Sequence, residues 1–227
     1  MTILQQQKIY TGTACKTLDR IAIDDYDYSG LQLMTHAGQS AFAKLKTLYP
    51  TARSLLILCG SGNNGGDGYV VGSEAIKVGW DVSMIAVQPP KTLDGQTVAK
   101  QYQSLGGQTL NASARDTLAK PADLIVDALL GVGLTGAPRG EYAELIEFAN
   151  QSNTPIFALD VPSGLNADTG EAYQPCIRAE HTITFIAKKI GLLTGDAAQT
   201  VGEIHLETLG LKPEIYERVA SVTLDSL

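Results

Sequence analysis

Residues 54–68, SLLILCGSGNNGGDG, constrain the fold more than any other stretch, because an apolar run stops abruptly there and becomes a segment made almost entirely of glycine, asparagine and one aspartate. Five glycines lie between Gly60 and Gly68. Glycine lets a backbone take φ > 0 or come into close contact with another group, so such a loop normally presents peptide N–H groups to a ligand. Residues 55–59 form a continuous hydrophobic stretch of strand length, and residues 69–78 predict a helix with Val71, Ala75 and Val78 on one face. Strand, glycine loop and helix in that order make a nucleotide-binding turn, with the helix N-terminus facing an anion.

Two helices precede this unit. Residues 13–26 put Ala14, Leu18, Ile21 and Ala22 at helical spacing, and Ser29 is positioned to cap a second helix with Leu31, Met34, Ala41, Leu45 and Leu48 inward. After Pro50 a βα rhythm sets in: strand 54–59, helix 69–78, strand 81–87, helix 95–105, a short strand near 108–110, strand 123–128 and helix 141–151. Strands 155–160 and 181–186 follow, with a last strand near 203–208. Alternating units with nearly unbroken apolar strands predict an α/β fold: a Rossmann-like, doubly wound, mostly parallel sheet in a three-layer αβα sandwich with two leading helices. A chain of 227 residues with 44% hydrophobic and 18% charged positions fits one domain over 1–227. The formal charge of -7 argues against a nucleic-acid partner, since neutralising phosphates needs a concentrated excess of Lys and Arg. A small ligand is expected instead. Cys15, Cys59 and Cys176 are widely spaced and odd in number, which supports neither a disulfide framework nor a CxxC site, so they read as plain thiols. The opening MTILQQQK lacks the pattern of a signal peptide, and no apolar run approaches the ~20 residues of a membrane span, so a cytoplasmic protein without membrane association is expected.

In a doubly wound sheet the ligand lies beyond the carboxyl ends of the strands, where the winding direction reverses. Here that crevice separates the first strand of the sheet from the fourth. It would bring together Asn63 and Asn64, Asp127 with the GVGLTGAPRG segment, and Asp160 with Ser163. Both Gly60-Ser-Gly62-Asn-Asn-Gly65 and Gly131-Val-Gly133-Leu-Thr-Gly136 match GxGxxG. The dinucleotide fingerprint also wants an acidic residue at the end of the second strand, which here ends Val87-Gln88, with Asp81 at the wrong end. Gly66 and Asp67 stand where a Walker motif needs Lys and Ser/Thr. Side-chain amides, Asp127 and Ser163 are the oxygen donors a hard cation selects, although Asp127 reads equally as a helix cap. Asp160 emerges from a buried strand; partly desolvated, it is suited to proton transfer, and it reads equally as a backbone cap. Ser163 is not in GxSxG, and His36, His181 and His205 belong to no catalytic pattern. Tyr69, Tyr142 and the pair Lys188 and Lys189 read as packing or solvated residues, or as groups that meet a dinucleotide.

Taken together, the segments LDRIAIDDY, LMTHAGQSAF, GSGNNGGDGYVV, IVDALLGVGLTGAPRG, LDVPSGLNADTG, TFIAKKIGLLTG and GEIHLETLGL resemble the NAD(P)H-hydrate epimerase family, the YjeF N-terminal domain. The resemblance spans nearly the whole chain. It implies repair of nicotinamide cofactor that has gained water at C6, by interconversion of the R and S hydrates so that a companion dehydratase can act on one of them. It also implies substrate contacts at Asn63, Asn64, Gly65, Gly66, Asp67, Gly131, Val132, Gly133, Leu134, Thr135, Gly136, Ala137 and Asp160; because inversion at C6 needs a proton delivered to and taken from oxygen, Asp160 is expected to be the general acid/base. One potassium ion per subunit would be held by Asn64, Asp127 and Ser163. A homodimer through the leading helices is implied, as is a dehydratase partner, which bacterial relatives often carry fused behind this domain. The last strand is followed closely by Leu227, leaving open a free-standing epimerase or one half of a bifunctional protein. The competing readings are a non-catalytic nucleotide- or RNA-binding dimerisation module of the same fold and an NAD-dependent dehydrogenase.

Overall fold

In the computed structural model, which describes residues 8–117 and 122–222, the chain opens with a two-residue strand, β1 (Ile9–Tyr10), and the two leading helices, α1 (Gly12–Asp25) and α2 (Gly30–Leu48). Ser29 caps α2 as its position predicts: its Oγ accepts the Gln32 N–H at 3.1 Å, and Gln32 Oε1 accepts the Ser29 N–H at 3.1 Å. This reciprocal box satisfies two donors that the first turn would otherwise leave bare. The βα succession follows as β2 (Ser54–Cys59), α3 (Asn63–Lys77), β3 (Asp81–Ala86), α4 (Leu93–Ser104), β4 (Thr109–Leu110), β5 (Leu124–Ala128), α5 (Glu141–Gln151) and β6 (Ile156–Leu159). Then come β7 (His181–Phe185), β8 (Lys188–Lys189), β9 (Glu203–Glu207) and a short α6 (Pro213–Glu217).

The sheet runs β4-β3-β2-β5-β6-β7-β9 with every neighbouring pair parallel, so the winding reverses between β2 and β5 as expected. Both faces are covered, which is why the central strands are apolar without alternation. Leu55, Ile57 and Cys59 of β2 pack under α1–α4 and α6, while Leu56 and Leu58 face Leu145, Ile146 and Ala149 of α5. The three cysteines are free and buried. No helix among the described residues is long and apolar enough to cross a membrane. The expectation for the opening segment concerns residues 1–7, which lie outside the described residues.

One expectation needs correction. The helix after β2 starts at Asn63, six residues before the predicted position, so NNGGDG is its first turns and not a loop. None of the five glycines adopts a positive φ. Gly62 has open space around it, and the role of the others is close approach: a Cβ on Gly65 would stand 1.9 Å from the Gly60 carbonyl oxygen, and one on Gly68 would stand 2.7 Å from Ala128 Cβ. Glycine lets α3 lie almost against β2 and β5, a packing demand that helix propensity, poor for Gly, does not reveal. Periodicity was also too short to signal the second sheet, in which β1 pairs in parallel with β8.

Candidate functional site

The carboxyl ends of β2, β5 and β6 open onto a cleft of about 590 Å³. The α3 N-terminus forms one rim through Ser61, Gly62 and Asn63, and the segment after β5 forms another through Gly131, Val132, Gly133 and Leu134. The Gly62 cap makes no side-chain hydrogen bond, so this helix end is left to the cleft, where free N–H groups favour an anion. The far wall is α1 and α2, through Cys15, Lys16, Asp19, Leu33 and Met34. Lys16 reaches towards Gly133, adding positive charge at the same rim.

Beneath the loop after β5 lies a cradle of oxygens. Asp127 is fully buried: its Oδ2 accepts the Ser163 N–H at 2.8 Å, and its Oδ1 accepts the Ser163 hydroxyl at 2.6 Å and the Leu129 N–H at 3.2 Å. Burial pushes this carboxyl up to about 6, against the pull of the Ser163 and Leu129 donors. Ser163 Oγ accepts the Leu130 N–H at 2.9 Å, and Asn64 Nδ2 donates to the Leu130 carbonyl at 3.0 Å. The Asn64 Oδ1 is buried with no hydrogen-bond partner. An orphaned carbonyl oxygen, a hydroxyl that meets the same Leu130 carbonyl and the buried carboxylate bonded to that hydroxyl are a donor set that fits a hard cation.

On the other side of the crevice stands Asp160, directly after β6. It adopts a left-handed φ of 64°, and its N–H donates to the Ile183 carbonyl at 2.7 Å. Ile186 and Leu209, at φ of 68° and 56°, also line the cleft, so three strained residues border one cavity. Such conformations cost on the order of 1–3 kcal/mol each and persist only where the surroundings enforce them. The Lys189 ammonium pairs with Asp160 Oδ1 and also donates to Thr184 Oγ1 at 2.9 Å and to the Phe185 carbonyl at 2.7 Å. The carboxylate expected to emerge into the cleft is therefore one half of a part-buried ion pair. Lys189 reads in sequence as half of a basic loop pair, but it belongs to β8; register with β1 turns it inward, leaving the side chain 2% exposed.

Asp67 and Asp19 complete the floor. Burial, then the charges of Asp160 and Asp19, hold the Asp67 carboxyl well above its usual range, with Lys189 pulling the other way. Burial, and next Asp160, also raise Asp19. The cavity thus combines a carboxyl whose hold on its proton is strengthened with an ion-paired one, the arrangement that pushes acid and base apart. The Cys15 thiol beside them, pushed up to about 11 by burial, is no nucleophile at neutral pH.

Of the residues singled out in the sequence, Asn63, Asn64, Asp67, Gly131, Val132, Gly133, Leu134 and Asp160 line the cleft. Asp127 and Ser163 lie beneath it, in the cradle. Gly65, Gly66, Thr135, Gly136 and Ala137 are not in the lining; Gly66 faces Met34 and Gly136 has open space around it. Tyr142 lines the wall, whereas Tyr69 packs in the core against Tyr102 at 5.7 Å. Lys16 carries no sequence signal, and Asp19 none beyond its place in the segment LDRIAIDDY, since an ordinary amphipathic helix has such residues on its outer face.

Comparison with known proteins gives this geometry a context. A family model described as YjeF-related protein N-terminus matches residues 30–191. The bifunctional NAD(P)H-hydrate repair enzyme Nnr of Escherichia coli is 45% identical over 194 residues, covering 85% of this chain and 38% of the relative. That of Leishmania major is 44% identical over 195 residues, covering 84% and 34%. The chain thus spans little over a third of these relatives' length. The NAD(P)H-hydrate epimerase of Rhodopirellula baltica is 36% identical over 204 residues, covering 88% of this chain and 83% of the relative. Among solved structures, yeast ynu0 superimposes with a TM-score of 0.79 over 93% of both chains at 19% identity, which supports the fold. On the family match across residues 30–191 and the likeness to a relative of comparable extent, the chain belongs to the YjeF-related N-terminal family, that of the NAD(P)H-hydrate epimerases.

Proposed function

We propose that this cleft is the active site of an isomerase that interconverts the R and S forms of hydrated NADH and NADPH at C6 of the nicotinamide ring. One observation carries the reading: the Asp160–Lys189 pair and the proton-holding Asp67 share the floor of a cleft whose rims offer helix N–H groups and Lys16 to phosphates. The name of the Rhodopirellula baltica relative supports it. Rim residues Asn63, Gly131, Val132, Gly133 and Leu134 would orient the substrate. The C6 hydroxyl sits on a carbon bonded to nitrogen. Asp67 gives its proton to that oxygen, the C–O bond breaks with its electron pair leaving as water, and the N1 lone pair closes a C=N bond. The iminium so formed is cationic, and Asp19, Asp67 and Asp160 surround it with negative charge, an electrostatic stabilisation already organised before reaction. Water then adds to the opposite face, and its proton passes to a carboxylate, with Asp160 as the base. Lys189 holds Asp160 in position and leaves Oδ2 for the substrate.

The cradle of Asn64, Asp127 and Ser163 would hold one potassium ion per subunit, which offsets the Asp127 charge and orders the loop after β5. In the cell a dehydratase specific for the S hydrate would consume the product, in line with the bifunctional naming of the longer relatives. A homodimer through the leading helices and a cytoplasmic setting complete the reading; sedimentation as a monomer at working concentration removes the dimer. The alternative of an RNA-binding module is disfavoured by an acidic cleft in a chain of net charge -7. The deciding experiment separates the two hydrates by chromatography after incubation with the protein. Asp160→Asn is expected to bind the hydrate and to lose about 10² to 10⁴ in rate; undiminished turnover in this variant removes Asp160 from the mechanism.

A further inference from the structure

A second polar cluster lies at the opposite ends of the strands from the cleft. The two-residue repeat of β9 puts Glu203 and His205 on one face, and the parallel register sets His181, the first residue of β7, beside Glu203. All three project to the side covered by α2, where the Tyr49 ring that follows this helix meets His181 edge-on at 5.7 Å. His205 Nε2 lies 3.2 Å from His181 Nδ1, which lies 3.6 Å from Glu203 Oε2. One ligand atom from each residue falls within 4.8 Å of the others. The imidazoles are nearly covered, at 14% and 11% side-chain exposure, whereas Glu203 is 67% exposed and free to swing.

We propose that His181, His205 and Glu203 bind a divalent cation of the borderline class, zinc foremost, with water filling the open side. Nitrogen ligands about 2.0–2.1 Å from a tetrahedral zinc stand roughly 3.3 Å apart. The two imidazole nitrogens already have nearly that spacing, so little rearrangement is needed for an ion to replace the hydrogen bond between them. Two imidazoles and a carboxylate select against hard cations, which take all-oxygen sets such as the cradle around Asp127. The Glu203 carboxylate faces the site from β9, and Lys44 of α2 is the neighbouring positive charge. An ion here ties the outermost strand β9 to β7 and acts as a clamp on the sheet edge, independent of the epimerase reading.

Calorimetric titration of the chelator-stripped full chain with zinc chloride, at constant potassium, tests this. One zinc per chain is expected, with a melting temperature that climbs with zinc concentration. Affinity should fall at least tenfold in Glu203→Gln, an exposed position that leaves packing intact, and the one-to-one event should vanish in His205→Gln. Hydrate turnover should be equal with and without zinc, which separates failure here from failure of the epimerase reading. No one-to-one event in the parent protein, or unchanged zinc affinity in both variants, overturns the proposal.

Discussion

Asp67 is a buried carboxyl with two further carboxylates acting on it, and all three effects strengthen its hold on a proton. Between the ordinary value of 3.8 and the raised folded value, the native state keeps a proton that the unfolded chain has released. Stability from this group is therefore lost as pH rises through that window. Asp67→Asn closes the window, so its melting temperature should exceed the parent's by a margin that grows from about pH 4 upward; parallel melting curves against pH would refute the assignment. The same variant should lose on the order of 10²-fold in turnover, because the acid is gone. Lys189 makes the opposite case. Its replacement by Met leaves the part-buried Asp160 without its partner and should destabilise the fold, and the double change Asp160→Asn, Lys189→Met should recover much of that loss in denaturant melts. If the incoming hydroxyl at C6 derives from water in an iminium route, epimerised hydrate formed in ¹⁸O-water will carry the label; ring opening and reclosure would retain the original oxygen.

At the scale of the element, α3 carries both the packing and the chemistry. Its glycines bring the helix against β2 and β5, and that closeness is what sets Asn64 over the Leu130 carbonyl. Gly65→Ala would drive a methyl group into the Gly60 carbonyl, and Gly68→Ala would meet Ala128 and Cys59. Overpacking of this kind costs about 1–3 kcal/mol or more, and potassium affinity should fall together with stability if α3 moves outward. A retained melting temperature in Gly65→Ala would mean that the helix packs less tightly than described. The α2 cap is a milder case: Ser29→Ala should cost about 1 kcal/mol by losing one half of the reciprocal box.

For the whole molecule, the cradle around Asp127 ties three strand ends together, so a bound cation should stabilise the entire fold. Exchanging potassium for lithium is expected to lower the melting temperature in a concentration-dependent way and to reduce turnover; identical melting in the two salts would leave the cradle without an ion. Much of this was legible beforehand. The apolar runs at 54–59, 123–128 and 155–160 are long enough, and flanked by clear enough breakers, to predict a parallel sheet, and the winding rule then assembled Asn64, Asp127, Asp160 and Ser163 from distant parts of the chain. Local pattern failed where residues act through distant contacts. NNGGDG looks like a loop by propensity and is helix because β2 and β5 demand closeness. Lys189 looks solvated and is buried because two short strands, far apart in the chain, pair Tyr10 with Lys189 and turn it towards Asp160. Asp19 and Lys16 join the cleft only because α1 folds over it. The sequence by itself determined the longer elements of the βα succession and the crevice between β2 and β5, since these follow from hydrophobic period and chain handedness. Only the tertiary structure decided which carboxyl is paired and which binds its proton more tightly, because burial and opposing charge exist only once the chain is folded.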